Sequence, residues 1–198
     1  MALEEQLGKI LSKYSSYRKG TVTDLVNVVD DSNLLVRQKG YGDLKKERMY
    51  DYQLTYRYNE PKTEFKLYFT SQSLFLYDMI VRSSLYDERD GSYTISPRNV
   101  NGAWSTYNEL GVGRALNKSK SLRFQNNVVL NHLNSVEMSG TTATGLRVNK
   151  ANVNSVEDNL TFSYQRGKFT ARLNGGFKFQ SSRSKSLTNA NYDAYDYF

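Results

Sequence analysis

Residues 93–138 read YTISPRNVNGAWSTYNELGVGRALNKSKSLRFQNNVVLNHLNSVEM and give the strongest indication of this protein's architecture. Apolar and polar residues alternate along two long segments of this stretch, one on each side of a polar turn at residues 117–120. Alternation of this kind puts one side of a β-strand against apolar surroundings and the other against water. The apolar sets are Trp104, Leu110, Val112 and Leu116 before the turn, and Leu122, Phe124, Val128 and Leu130 after it. The stretch therefore predicts an antiparallel hairpin.

The arms of this hairpin are long. Each has roughly 15 residues or more, whereas a strand in a globular protein usually has about 5–6. A barrel that crosses a bilayer and projects beyond it needs arms of this length. The hairpin therefore favours a transmembrane β-barrel over a soluble sheet.

Composition excludes several classes of protein. The chain has 198 residues, no Cys and one His, which rules out disulfides, a Cys nucleophile and a multi-histidine zinc site. Mean hydropathy is −0.66, and no apolar run is long enough for a transmembrane helix. Aromatic residues make up 13%, with 16 Tyr among them, which suits half-buried strands.

The chain is basic, with a net charge of +7. Its Lys and Arg are thinly spread, which favours a solvated basic surface. The alternative is an anionic partner such as nucleic acid or lipopolysaccharide.

The N-terminal part differs from the rest. Helical spacing of apolar residues over residues 3–14 predicts a short amphipathic helix, on Leu3, Leu7, Ile10, Leu11 and Tyr14. The acidic start carries no secretion signal, so the protein is either cytosolic or a piece of a longer exported chain. We expect a divergent N-terminal segment at residues 1–20 and a truncated barrel segment at 21–198. Within the latter, residues 21–31 are β-prone and 32–47 form an irregular connection.

Further strands follow from the same alternation. It is clearest at residues 50–58; an extended run continues from 65 to about 81, and two more strands lie near 156–164 and 169–179. A final run at 193–198 is cut off in mid-strand. Within this set we expect one continuous face made of Tyr52, Leu54, Tyr56, Phe65, Leu67, Phe69, Leu110, Val112, Phe124 and Val128.

The connections alternate in length. Short turns are predicted at residues 59–62, 117–120 and 166–168, and long loops at 86–97, 139–152 and 181–191. Outer-membrane barrels have short periplasmic turns and long extracellular loops, although a soluble up-and-down barrel has a similar pattern. The prediction is an all-β, antiparallel up-and-down meander of seven or eight long strands. It is part of a transmembrane β-barrel, open, with edges near Tyr50 and Tyr197, and its long loops lie together on one rim.

No catalytic, cofactor-binding or metal-binding residues are predicted, and the chain is not expected to be an enzyme. His132 has no nearby nucleophile to activate. The acidic groups Asp30-Asp31 and Asp87-Glu88-Asp90 are either solvated turn residues or calcium ligands, and they lack EF-hand spacing. Gly111-x-Gly113 lies within a strand, so strand curvature or close packing explains it better than dinucleotide binding.

One aromatic segment could bind nucleic acid. MYDYQLTYRY, residues 49–58, interleaves tyrosines with a cation and could stack single-stranded bases. Its tyrosines and Arg57 fall on opposite faces of the strand, so no nucleic-acid partner is expected.

The amino-acid sequence of residues 95–138 resembles that of outer-membrane β-barrel proteins of the Bacteroidota that are similar to TonB-dependent receptors. The matching element is Pro-x-Asn-Val-Asn-Gly at residues 97–102, followed by the basic turn NKSKSLRF and the strand NVVLNHLNSVEM. Upstream, residues 23–58 resemble the family's Ser-Asn-Pro-Leu and Gly-Asn-Pro-x-Leu-Lys-Pro stretch. Leu34, Tyr41-Gly42 and Lys46 replace residues of that pattern, which removes prolines that would stiffen the connection.

The resemblance implies a function and a location. Such a chain is a fragment of a receptor in the outer membrane of a Gram-negative cell, where it binds an extracellular ligand and imports it. Its partners would be outer-membrane lipid, a ligand of unknown identity and the energy-coupling TonB protein. The alternative function is a soluble or surface all-β binding module, either an adhesin or a glycan- or nucleic-acid-binding protein.

Overall fold

The computed structural model describes residues 8–184 and 191–198, with side chains from Ser12 onward. Its elements, in chain order, are β1 (Gly8–Arg18), α1 (Val22–Leu25), β2 (Val29–Asp30), β3 (Val36–Lys39), β4 (Glu47–Glu60), β5 (Phe65–Tyr77), β6 (Met79–Tyr86), β7 (Tyr93–Val100), β8 (Ala103–Ala115), β9 (Leu122–Thr141), β10 (Gly145–Arg166), β11 (Phe169–Ser184) and β12 (Tyr192–Tyr197). All twelve strands belong to one sheet, and the fold is all-β. Among the described residues, no helix is long and apolar enough to span a membrane.

Eight of the strands form an antiparallel meander in the order β1, β4, β5, β8, β9, β10, β11, β12. Within the described residues β12 pairs only with β11, and β1 pairs only with β4, so the sheet is open. The expected last edge, near Tyr197, is confirmed. The expected first edge, near Tyr50, is wrong, because β1 covers that side of β4 along its whole length.

The same pairing overturns the predicted N-terminal helix. Residues 1–7 lie outside the described residues, but residues 8–18 form β1. A ladder with β4 supplies backbone hydrogen bonds along the entire segment, and tertiary pairing of this kind readily overrides a weak helical preference.

The two ends of the meander differ. At one end, which we call the turn rim, neighbouring strands are joined by short turns at residues 61–64, 116–121 and 167–168. At the other, the extended rim, the chain makes longer excursions at residues 19–46 and 78–102, and β9 and β10 project past their neighbours to a turn at 142–144. The short turns predicted at residues 117–120 and 166–168 are confirmed, whereas the one predicted at 59–62 lies at 61–64, because β4 continues to Glu60.

The long loops predicted at the extended rim are mostly strands. Residues 93–100 are β7 rather than loop, and residues 139–152 form the end of the β9–β10 hairpin. Gly140 allows this tight hairpin end, since a Cβ there would lie 2.0 Å from the Gly145 carbonyl oxygen. Residues 185–190 of the third loop lie outside the described residues.

Four strands extend the sheet at this rim. β6 pairs with β7 in an antiparallel hairpin and runs parallel to the end of β9. β3 runs parallel to β7, and β2 completes the edge. The sheet therefore has twelve strands instead of the predicted seven or eight, although the meander itself has eight.

Local backbone geometry explains where these excursions begin and end. Asp78 has φ 50° and ends β5, so the predicted run to about residue 81 is interrupted there. Gly102, with φ 104°, separates β7 from β8. Residues 21–31, expected as a strand, begin with α1, because Thr21 and Asp24 form a reciprocal capping box. Residues 32–47, expected to be irregular, include β3.

Three asparagines, which we call the asparagine joint, fasten the excursions to the meander: Asn99, Asn101 and Asn134. Asn99 donates to the carbonyl oxygens of Lys45 (3.0 Å) and Asp78 (2.7 Å), and accepts from the Lys45 N–H (2.7 Å). Asn101 accepts from the Asp78 N–H (2.7 Å), and Asn134 donates to the Gly102 carbonyl. The joint therefore holds both excursions against β9.

Glu47 and a small apolar cluster complete this region. Glu47, 9% exposed, accepts from Arg18 (3.0 Å) and from the Ile80 N–H (2.9 Å). The buried apolar residues Val100, Ala103 and Val136 pack there with Leu76, Met79, Val81 and Met138. The main buried cluster of the described residues thus lies at the extended-rim end of the meander, where β6 and β7 pack against it.

Candidate functional site

The register of the meander divides its side chains into two faces. Directly opposed residues on paired strands point to the same side of a sheet. Leu67 is directly opposite Tyr58. Tyr58 lies four residues from Leu54 in β4, an even spacing that puts both on the same face, so Leu54 and Leu67 share a face. The same reasoning through β8 and β9 places the whole predicted set of ten residues on one side. The predicted common face is confirmed, and we call it the apolar face.

A band of apolar residues crosses this face. On β9 it runs from Leu122 to Leu130 and on β11 from Phe169 to Phe179, about 27 and 34 Å at ~3.4 Å per residue. A strand tilt of about 40° reduces this to roughly 21–26 Å, close to the apolar band of outer-membrane barrels, about 25 Å tall. The band comprises Leu54, Tyr56, Tyr58, Phe65, Leu67, Phe69, Leu110, Val112, Leu122, Phe124, Val128, Leu130, Val156, Leu160, Phe162, Tyr164, Phe169, Ala171, Leu173, Phe177, Phe179, Tyr195 and Tyr197.

Polar residues within the band bond to one another across strands. Ser71 donates to Asn108 (2.7 Å), and Asn126 donates to Asp158 (2.5 Å). Unsatisfied polar groups are costly in an apolar medium, and such pairing reduces that cost.

Aromatic rings gather at both ends of the band. Towards the turn rim, Tyr58 lies beside Phe65, Phe124 beside Phe162 and Tyr164 beside Phe169. Towards the extended rim, Tyr50 meets Tyr77, and a row of rings passes from Tyr52 through Phe75 and Trp104 to His132. Aromatic rings with a polar tip are favoured where an apolar layer meets water.

The apolar face is uncovered in the part of the chain that the structure describes. Contacts between elements join sheet neighbours or involve the β6–β7 hairpin, and no element packs across the band. Leu110 remains 43% exposed, Leu130 45% and Leu173 69%. The surface area is 13730 Å², whereas a compact monomer of 22.8 kDa has about 9,600 Å². A protein in water seldom leaves so much apolar surface unburied.

The opposite, polar face carries amides, hydroxyls and charges. Glu109 accepts from the hydroxyls of Tyr68 (3.0 Å) and Tyr107 (2.7 Å), and Gln72 donates to Asp51 (2.9 Å). The Tyr68 ring lies over Gly111, where an added Cβ would come within 1.9 Å of it. The close packing predicted for Gly111 is therefore observed.

A pocket of about 420 Å³ opens at the extended rim, between α1 and the β6–β7 hairpin. Its lining combines apolar side chains with Lys39 and Arg82 on one hand and Asp24 and Asp30 on the other. A hydrogen bond from Thr21 lowers the pKa of Asp24, and one from the Ser32 N–H lowers the pKa of Asp30, so both carboxylates are charged at neutral pH. The pocket can accept a small ligand with both polar and apolar parts.

The predicted acidic turn, residues 87–91, is held by its own side chains. Asp87 accepts two hydrogen bonds from the Arg89 guanidinium, at 3.1 and 2.8 Å, which lower its pKa to about 2. Asp90 accepts from the Ser92 N–H (2.9 Å) and pairs with Arg37 (3.2 Å). Within residues 8–184 and 191–198, no three His, Cys, Asp or Glu side chains form a metal-binding group.

The remaining candidates are dispersed. His132 stacks on Trp104, with ring centroids 4.2 Å apart, and its Nδ1 is 2.6 Å from the Asn154 side-chain oxygen. In β4 the tyrosines lie on the apolar face and Arg57 on the polar one, as expected. Sequence reasoning missed the extended-rim pocket, because the parallel pairing of β3 with β7, which brings α1 to the β6–β7 hairpin, does not follow from the alternation of residues. The Thr21-x-x-Asp24 capping pattern was the available signal for α1.

Sequence reasoning also missed a cluster of two cations and four aromatic rings. We call it the aromatic–basic patch: Lys13, Arg48, Tyr50, Tyr52, Phe75 and Tyr77. Lys13 belonged to the expected helix, and only its pairing opposite Tyr52 brings it to these rings.

Comparison with known protein families, with curated proteins and with solved structures finds no match. Function is therefore inferred from the two faces of the sheet and from its rims.

Proposed function

We propose that this chain is a section of an outer-membrane β-barrel receptor of the TonB-dependent type, which binds a ligand and imports it across the outer membrane. The observation that carries the proposal is the uncovered apolar band opposite a polar face, repeated on β4, β5 and β8–β12. Alternation of lipid-facing and lumen-facing residues along every strand is the pattern of a transmembrane barrel.

Each part of the sheet has a role in this mechanism. The apolar face contacts lipid, and the polar face lines the inside of the barrel. The extended rim captures ligand at the outer surface, where its pocket offers both charges and apolar side chains. In a receptor of this type, an internal plug gates passage and the TonB protein supplies the energy.

Strand length supports a barrel that projects from the membrane. β9 and β10 have 20 and 22 residues, about 68 and 75 Å at ~3.4 Å per residue. The hydrocarbon layer is about 30 Å thick. Even at a tilt of about 45°, both strands extend well past it, which raises the hairpin end above the lipid surface.

Two neighbouring residues of β9 test the orientation of the sheet. The chain has a single Trp, at residue 104. Trp104→Phe removes it, so that a Trp introduced elsewhere is the only fluorescent reporter of its kind in the chain. Val128→Trp puts the reporter on the apolar face, and Val129→Trp puts it on the polar face at the same depth. Both variants are refolded into phosphatidylcholine vesicles with brominated acyl chains.

We expect bromine to quench the Val128→Trp reporter strongly, and aqueous iodide to quench the Val129→Trp reporter. Equal quenching of the two reporters by bromine, or the reverse pattern, would overturn the proposal.

A further inference from the structure

The aromatic–basic patch occupies the end of the apolar face nearest the extended rim. Lys13 is opposite Tyr52, and Arg48 is opposite Tyr77, so both cations share the face of the apolar band. The Lys13 ammonium lies 5.8 Å from the Tyr50 ring centroid and 5.6 Å from that of Tyr52. The Arg48 guanidinium lies 5.8 Å from the Tyr77 ring centroid.

The patch is open to its surroundings. Its rings enclose a surface depression of about 460 Å³, and Tyr52 and Tyr77 are 39% and 46% exposed. Arg48 is paired with Asp78 at 2.8 Å, whereas Lys13 has no acidic partner among the described residues. The patch therefore offers an anion one free charge, one shared charge and several tyrosine hydroxyls.

We infer that this patch binds the phosphate of an anionic lipid headgroup, in the leaflet that meets the extended rim. The inference rests on the proposed function, because it places the patch at the lipid surface. The band directly below it would contact the acyl chains, the rings would lie at headgroup depth, and Lys13 and Arg48 would meet the phosphate. Cations near a membrane surface each contribute to binding anionic lipid, and phosphate accepts hydrogen bonds from guanidinium groups.

Charge density favours lipid over nucleic acid. A single-stranded nucleic acid follows a groove lined by successive cations. Here two cations border one aromatic cluster, and this cluster adjoins the apolar band directly. One phosphate above acyl chains matches that arrangement better than a chain of phosphates does.

The test is made in detergent, so that it does not depend on membrane insertion. The chain in dodecyl maltoside is titrated with brominated phosphatidylglycerol or with brominated phosphatidylcholine. Trp104 is the reporter, because its ring lies 6.4 Å from that of Phe75 in the patch. We expect quenching at lower concentrations of the anionic lipid, and less difference between the lipids at high salt.

Matched variants assign the effect to the patch. Lys13→Gln and Arg48→Gln should each weaken phosphatidylglycerol binding about fivefold. Lys13→Arg should keep the affinity, and Arg57→Gln should leave it unchanged, since that substitution removes one positive charge from the opposite face.

Three results would refute the lipid site: equal quenching by both lipids, equal loss in Lys13→Gln and Arg57→Gln, or displacement of the lipid by a micromolar single-stranded oligonucleotide. The vesicle experiment at residues 128 and 129 reports on the orientation of the sheet and does not involve the patch. A negative result for the lipid site can therefore be told apart from a negative result for the proposed function.

Discussion

At the scale of single residues, the tightest requirement in the meander is at Gly111. The Tyr68 ring occupies the space that a side chain at residue 111 would need, and its hydroxyl donates to Glu109. An aromatic ring that covers a glycine on the neighbouring strand also fixes the register of the two strands. Gly113, two residues along the same face of the same strand, has only ordinary contacts.

We therefore expect Gly111→Ala to destabilise the chain by about 1–3 kcal/mol, because the added methyl group displaces the Tyr68 ring. Gly113→Ala is the control and should have little effect, since its Cβ would lie 3.5 Å from the nearest heavy atom. Urea unfolding of both variants in detergent measures the difference. Equal destabilisation by the two substitutions would contradict the role given to Tyr68.

The sequence predicts part of this arrangement. The position of Gly111 within an alternating strand indicates close packing, and that is what the structure has. Tyr68 as the partner does not follow from the sequence, because β5 and β8 are separated by the β6–β7 hairpin and their register is set by tertiary pairing.

At the scale of elements, the asparagine joint decides how the extended rim is assembled. Asn99 bonds to backbone groups of residues 45 and 78, which belong to two separate excursions. A side chain that satisfies three backbone groups leaves all of them without a partner when it is removed. The Pro-x-Asn-Val-Asn-Gly element thus has a structural task that is independent of any ligand.

Asn99→Ala should accordingly cost about 1–3 kcal/mol and loosen both excursions. We expect faster hydrogen exchange at the Lys45 amide, which donates to the Asn99 side chain at 2.7 Å. Asn131→Ala serves as the control, since Asn131 makes one exposed side-chain bond, to Ser155 at 3.2 Å. Unchanged protection of the Lys45 amide would show that other contacts hold the rim.

Elements of the meander are more predictable than those of the extended rim. Period-two alternation predicts β4, β5, β8 and β9 because each has one apolar face. Residues 139–152 are rich in Ser, Thr, Gly and Asn, a composition that predicts a loop. They pair as strands because an antiparallel neighbour is adjacent in the chain. Strand preference depends on such context more than helix preference does.

At the scale of the whole molecule, the proposed orientation places the extended rim outside the cell and the turn rim in the periplasm. Residues 86 and 142 lie together at the extended rim, where the Thr142 N–H donates to the Tyr86 carbonyl at 2.9 Å. Two of the three segments predicted to emerge together therefore do so, although they are largely strands. Ser119 lies in a turn at the opposite end.

Because the chain contains no Cys, a single introduced thiol reports its own location. In intact cells that express the full protein, with any Cys outside this chain replaced by Ser, Thr142→Cys should react with a membrane-impermeant maleimide. Ser119→Cys should react only after the outer membrane is permeabilised. Labelling of the permeabilised cells also serves as the control that the thiol at residue 119 is reactive. Labelling of Ser119→Cys alone in intact cells would reverse the orientation.

The difference between the two rims also decides where related chains can differ in length. The registers of β4–β5, β8–β9 and β10–β11 are set by the turns at residues 61–64, 116–121 and 167–168, and that of β9–β10 by the turn at 142–144. An inserted residue in any of these turns would shift side chains to the wrong face. At the extended rim, added residues lengthen a surface excursion at a modest entropic cost. Insertions and deletions should therefore accumulate at residues 19–46 and 78–102, so that the surface of the extended rim can change while the strands of the meander stay the same.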